Sequence, residues 1–360
     1  MNRPLKIIHA ADLHLDSPFD ALGDKAARRR AEQRQLLERI AALARERQAD
    51  LLLLAGDLLD GANVYAETAR ALQETLAGLD CPVFIAPGNH DFFCAASPYA
   101  RLAFPDHVHI FRGGTEAVEL PDLGVRVYGA GFTDIGSPPP LRGFHAAPWE
   151  GLNIGVFHGD LDKPESRYGP ISQQDIGASG LDYLALGHVH SCSGLLQYGN
   201  TYCAYPGCPE GRGFDECGEK GVLYLELEKG RCRAEFVPVC LRQYLVLSVP
   251  ADDPAAALPA GTEPHIVRLL LTGETDAAPD LDALSRELSP RFFALQLRDR
   301  TTPRRDIWEA AEQDSLRGLF LRRLRAMYEA AATEAEREQI IQAVRWGLAA
   351  LDGGEAVAEL

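Results

Sequence analysis

The stretch Leu51-Leu52-Leu53-Leu54-Ala55-Gly56-Asp57 decides the fold. Five apolar residues bounded by glycine read as a buried strand, the kind covered on both faces inside an α/β sheet. Its end matters as much as its body, because a carboxylate follows directly where the chain leaves the sheet. Four other apolar runs end in the same way. Lys6 to Ala11 leads into Asp12-Leu13-His14, and Val83 to Ala86 leads into Gly88-Asn89-His90-Asp91. The runs before His158-Gly159-Asp160 and Gly187-His188-Val189-His190 complete the set. Five strand ends therefore deliver carboxylate, amide and imidazole groups to one place.

Helical periodicity lies between these strands. Ala26 to Gln48 carries Leu36, Leu37, Ile40, Leu43 and Ala44 on one face, and Glu67 to Leu79 repeats the pattern. The run Arg28, Arg29, Arg30 and Arg34 reads as a solvated helix face. Such alternation predicts an α/β core with sheets sandwiched by helices. Gly194 to Val239 reads as an antiparallel meander. From Arg242, three strands at 244–249, 265–272 and 292–298 alternate with helix-like Pro254 to Leu258 and Leu281 to Leu288. The C-terminal part is a helical hairpin. Leu316, Leu319, Phe320, Leu324 and Met327 form one stripe, and Ile340, Ile341, Val344, Leu348 and Leu351 form another. Thr333 and Glu336 form a capping box between them, and Gly353-Gly354 stops the second helix.

Composition bounds the function. Net charge is −16 over 360 residues, against a protein that coats nucleic acid unaided, because such affinity comes from neutralising phosphates. No apolar run is long enough to span a bilayer. Arg3 and Lys6 lead straight into a strand that Asp12 interrupts, so no export signal is read and a cytoplasmic location is expected. The eight cysteines include no CxxC pair and read as free packed thiols. No phosphate-binding GxxxxGK[ST] occurs, which disfavours an ATPase.

The strand-end residues match the needs of a two-metal phosphoesterase: one bridging carboxylate and neutral nitrogen and oxygen ligands around two cations. Asp12, His14 and His190 are candidates for the first metal, and Asn89, His158 and His188 for the second, with Asp57 between them. In an extended segment residues i and i+2 point the same way, so Asp12 and His14 share a shell. His90 follows a ligand and is better placed as the acid that protonates the leaving oxygen, with Asp91 fixing its tautomer. Asp60 and Asp16 are candidates for orienting the site or contacting substrate. The chemistry expected is attack on phosphorus by a hydroxide activated between two divalent ions, manganese first, with iron, zinc or magnesium as alternatives.

At these residues the sequence resembles the calcineurin-like metallophosphoesterases, whose blocks read D-x-H, G-D, G-N-H-D/E, H and G-H-x-H in this order. The resemblance implies a four-layer α/β/β/α sandwich over residues 1–241, a small α+β capping domain at 242–300 and a C-terminal helical hairpin at 301–360. The opening 12–19, with Tyr205-Pro206-Gly207, Gly213-Phe214-Asp215-Glu216 and Lys220-Gly221, looks like the DNA-repair exonuclease branch of SbcD-type and YhaO-like proteins. This implies DNA as substrate, a coiled-coil ATPase partner docked on the C-terminal helices, and a homodimer with 64–79 as candidate surface, although that stripe reads equally as core. Some nucleases of this branch carry histidine three residues after the bridging aspartate, where this chain has Asp60. Two alternatives stand beside the nuclease reading. One is a phosphodiesterase or phosphatase for small molecules; the other is a non-enzymatic scaffold, whose mark would be lost ligands, and none is lost here.

Overall fold

A computed structural model describes residues 3–275, 277–303 and 308–351. Twelve strands form two six-stranded sheets. They are β1 (Leu5–Ala10), β2 (Leu51–Leu54), β3 (Val83–Ile85), β4 (Val108–Ile110), β5 (Glu116–Leu120), β6 (Val125–Gly129), β7 (Leu152–His158), β8 (Tyr183–Gly187), β9 (Leu196–Tyr198), β10 (Thr201–Ala204), β11 (Gly221–Glu228) and β12 (Arg231–Pro238). The first sheet has the order β12-β11-β1-β2-β3-β4 and the second β5-β6-β7-β8-β10-β9. β1 to β4 run parallel, as do β6, β7 and β8, so their C-terminal ends lie together within each sheet.

The leucine run shows why these residues form a strand between two cores. Leu51 and Leu53 pack against residues of the second sheet such as Val127, Ile154 and Tyr183. Leu52 and Leu54 point the other way, onto Leu36, Leu37 and Ile40 of α1 (Ala26–Arg47) and Leu72 and Leu76 of α2 (Ala66–Ala77). A strand alternates faces with a period of two, so a run buried on both sides must be apolar at every position. Each of these leucines is at most 1% exposed, which contributes about 2 kcal/mol per side chain. On the far face of the second sheet, Ile176 of the short helix α3 (Gln173–Ala178) packs with Phe157, Leu184 and Leu186. The apolar stripe of α2 thus faces its own core, while Tyr65 just before it stands exposed.

Three expectations need correction. Arg29, in the run read as a solvated helix face, is fully buried with its guanidinium paired to Glu210. Gly194 to Val239 is not one meander. β9 pairs with β10 in the second sheet, whereas β11 pairs with β1 and β12 in the first. The cause is in β11 itself, whose first five residues are all buried, so it needs cover on both faces and enters the sheet interior. Pro254 to Leu258 forms turns, since five residues are too few to sustain a helical nucleus.

The described residues group into two compact units. Met1–Leu247, Pro259–Leu269 and Ser285–Gln296 make the first; Ser248–Leu258, Leu270–Leu284 and Leu297–Leu360 make the second. Strands β13 (Tyr244–Pro250), β14 (Ile266–Thr272) and β15 (Ala294–Asp299) form a three-stranded sheet. Helix α4 (Leu281–Leu288) falls where its periodicity puts it.

In the second unit, α5 (Leu316–Ala330) and α6 (Glu334–Leu351) form the expected hairpin. The capping box is present: the Thr333 N–H donates to Glu336 Oε2 at 3.2 Å, and the Glu336 N–H donates to Thr333 Oγ1 at 3.3 Å. Leu321 and Val344 are buried together, with Phe320, Leu324 and Leu348 against them, whereas Leu316, Leu319, Met327 and Trp346 are exposed. Gly353-Gly354 lies outside the described residues. All eight cysteines are free. Among the described residues no helix is long and apolar enough to cross a membrane.

Candidate metal centre

Beyond β1 and β2 the two chains continue side by side. Asp12 N–H donates to the Gly56 carbonyl at 2.9 Å, and His14 N–H to the Asp57 carbonyl at 2.9 Å. This zipper forces unusual backbone geometry. Asp12, His14, Asp57 and His188 all have positive φ (55°, 44°, 51° and 108°), a region that non-glycine residues enter only when their surroundings hold them there. Two glycines allow the loops to close. A Cβ at Gly88 would lie 2.2 Å from Asp57 Oδ1, and one at Gly187 would lie 1.7 Å from the Ala55 carbonyl oxygen.

The seven expected ligands come together. Asp12, His14 and His190 offer donor atoms within 4.8 Å of one another, as do Asp57, His158 and His188. Asn89 Oδ1 lies 3.1 Å from His158 Nε2 and 3.2 Å from His188 Nδ1. Asp57 Oδ2 stands 3.8 Å from His14 Nε2 and 3.4 Å from His158 Nε2, between the two groups.

The outer contacts settle which ring nitrogen faces inward. His14 Nδ1 donates to Asp60 at 3.0 Å, His190 Nδ1 to Glu216 at 2.6 Å, and His158 Nδ1 to the Ala55 carbonyl at 2.9 Å. His188 Nε2 lies 3.3 Å from Asp160. His14, His158 and His190 therefore each have one N–H taken by an acceptor and the other nitrogen turned to the centre, the arrangement of metal-ligating histidines, and His188 turns Nδ1 inward with Nε2 beside Asp160. His14 Nε2 and His190 Nε2 face each other at 3.3 Å with a lone pair each. Two lone pairs repel at that distance unless a cation or a proton takes them, so the donor set fits a divalent metal.

Without a cation these donors hold protons. Burial would lower His158, but Asp57, Asp12 and the Ala55 carbonyl raise it to about 9. Burial pushes the Asp12 carboxyl up to about 7 against the pull of His158. Burial opposes ionisation of Asp57 too, yet His158, His14 and the His90 N–H hold it well below the usual carboxylate range. Burial lowers His14 and His188 to about 4, so both are neutral at pH 7. An entering cation must displace the His158 and Asp12 protons and that of His190, which burial would lower but Glu216 and Asp12 raise. Metal affinity is therefore expected to rise with pH by about two decades per unit near neutrality, and to level off above about pH 9. Calorimetric titration of metal-stripped protein with Mn2+ in buffers of different ionisation enthalpy counts the released protons; a pH-independent affinity would contradict the assignment.

His90 stands apart from the seven expected ligands, its donor atom within 4.8 Å of those of His14 and Asp60 only. Its ring packs edge-on against His14 at 4.7 Å, its side chain is 44% exposed, and Nδ1 lies 3.6 Å from Asp60. Two expectations fail around it. Asp91 does not fix the His90 tautomer. Its buried carboxylate accepts from the Gly88, Leu58 and Leu59 N–H groups at 2.7, 2.8 and 3.2 Å and from Tyr99 Oη at 2.5 Å. A buried carboxylate takes the nearest unpaired donors, and here these belong to the loop that carries Asp57. Asp16 likewise serves a helix, accepting from the Tyr65 N–H at 2.8 Å and Thr68 Oγ1 at 2.5 Å at the start of α2. Asp60 is where a group orienting the site should be. Sequence reasoning assigned no role to Glu216, Arg212 or Asp160. Asp160 stands in one of the five strand-end stretches, and Arg212 with Glu216 in the turn-rich segment after His190; only their burial against imidazoles marks them.

Residues 5–192 match the family model described as calcineurin-like phosphoesterase. The chain is 32% identical over 250 residues to the uncharacterized metallophosphoesterase YhaO of Bacillus subtilis, covering 64% of this chain and 60% of YhaO. It is 25% identical over 338 residues to the DNA double-strand break repair protein Mre11 of Methanopyrus kandleri, covering 86% and 73%. Over 130 residues it is 32% identical to the SbcD component of the nuclease SbcCD of Rhodobacter capsulatus, covering 35% and 27%. The match thus spans less than two thirds of YhaO.

Proposed function

Because the chain belongs to the calcineurin-like phosphoesterase family, we propose that it is a metal-dependent phosphodiesterase acting on DNA. One observation carries the reading: seven ligand-type side chains from five strand ends converge with every inward histidine lone pair unclaimed by a protein donor. Asp12, His14 and His190 would hold one divalent cation, manganese in the first instance, and Asn89, His158 and His188 a second, with Asp57 between. Such a pair of cations polarises a phosphoryl oxygen and acidifies a water.

The chain's own residues do the rest. Asp60, Glu216, Asp160 and the Ala55 carbonyl keep the four imidazoles in the ligating tautomer. His90, exposed beside His14 with Nδ1 towards Asp60, donates the proton on Nε2 to the leaving oxygen. The relatives named for nuclease and break-repair roles support DNA as substrate. In this reading residues 242–300 cap the catalytic domain of residues 1–241. The hairpin within 301–360, with Leu316, Leu319 and Met327 exposed, docks on a coiled-coil ATPase.

A second reading, hydrolysis of a small phosphodiester, is favoured by the net charge of −16. The two separate in one assay with Mn2+: duplex and single-stranded oligonucleotides, a generic diester and a generic monoester. The nuclease reading expects cleavage of DNA and of the diester well above the monoester; intact DNA beside rapid turnover of the small esters would overturn it.

A further inference from the structure

Arg212 sits where two of the outer carboxylates meet. Its Nη1 lies 3.4 Å from Asp60 Oδ1, its Nη2 donates to Glu216 Oε1 at 3.0 Å, and its backbone N–H donates to Glu216 Oε2 at 2.8 Å. These are the carboxylates that accept from His14 Nδ1 and His190 Nδ1. The 3.1 Å approach of Nη2 to His190 Nδ1 joins two donors and follows from their sharing Glu216 Oε1. One guanidinium fork thus spans the partners of both imidazoles at the first metal position. The second position is backed differently, by the Ala55 carbonyl behind His158 and by Asp160, held by Lys163 at 2.7 Å and Ser166 at 2.6 Å, behind His188.

We propose that Arg212 is a positioning residue for the first metal position, acting through Asp60 and Glu216, and that it does not serve the second. The inference rests on the two-position reading of the site. Asp60 needs such a hold because its Oδ1 stands between two imidazoles, 3.0 Å from His14 Nδ1 and 3.6 Å from His90 Nδ1, and its side chain is 20% exposed. With the fork gone, Asp60 is free to turn from His14, and Glu216 loses the partner that shares its load. Charge alone would act in the opposite sense. A guanidinium repels a nearby dication, so removing it would tighten metal binding. Weaker binding therefore reports lost positioning.

Two variants test this. Arg212→Gln removes the charge, and Arg212→Lys keeps it on a single ammonium that cannot span two carboxylates. Metal-stripped full-length wild type and both variants are titrated with Mn2+, with calorimetry for stoichiometry and electron paramagnetic resonance to tell coupled from isolated ions. Wild type is expected to take two equivalents. Each variant should keep one at unchanged affinity and bind the other about 10–100-fold more weakly, with the coupled signal replaced by that of an isolated ion. Two equivalents bound as tightly as in wild type or tighter, full rescue by lysine, or equal weakening of both would overturn the proposal. Fewer than two equivalents in wild type would instead bring down the two-position reading, and this inference with it.

Discussion

Asp57→Asn is expected to empty the centre of tightly held metal and to abolish turnover. Of the seven donors only Asp12 and Asp57 are anionic, so this substitution removes half of the negative charge that two dications would meet. Asp57 Oδ2 is also the atom shared between the groups, 3.8 Å from His14 Nε2 and 3.4 Å from His158 Nε2. An amide keeps the shape. Its oxygen still accepts from the His90 N–H, which reaches Asp57 Oδ1 at 2.9 Å, so the loop should hold. The loss of several kcal/mol of charge stabilisation corresponds to at least about a 10³-fold fall in rate. Metal analysis after gel filtration, rates on a generic diester and circular dichroism check the three parts. A folded variant retaining metal and turnover would sink the ligand assignment.

His90→Ala should separate catalysis from binding. The ring packs against His14 and joins only the outer donor group of His14 and Asp60, apart from the seven donors, so metal stoichiometry is expected to stay as in wild type. Losing a general acid costs about 10²- to 10⁴-fold in kcat when the leaving oxygen needs a proton. The cost should shrink for a p-nitrophenyl diester, whose leaving group departs without one. An equal loss on both substrates, or a loss of metal, would show that His90 acts otherwise than as the acid.

Most of the fold was legible because the local pattern and the final packing agree. Leu51 to Leu54 must be apolar throughout since the strand is covered on both faces, and Thr333 with Glu336 closes a cap within a single turn. The convergence of the seven candidate ligands was legible for a related reason: strand ends place them, and strands are read from short runs. What escaped depends on partners far apart in the chain. Asp60 meets Arg212 across 152 residues and His190 meets Glu216 across 26, so no local spacing announces that Arg212 and Glu216 stand beside the site. Asp91 was assigned to His90 from adjacency alone, but its burial against the Leu58 and Leu59 amides decides its role. The separate sheets of β9–β10 and β11–β12 escaped likewise, because β11 finds its partner in β1, more than 200 residues earlier.

If five strand ends build one centre for two cations, anomalous diffraction from crystals soaked in Mn2+ shows it most directly. Two adjacent peaks are expected, one among Asp12, His14 and His190 and one among Asn89, His158 and His188, with Asp57 touching both. A single peak, or manganese bound away from these residues, would contradict it.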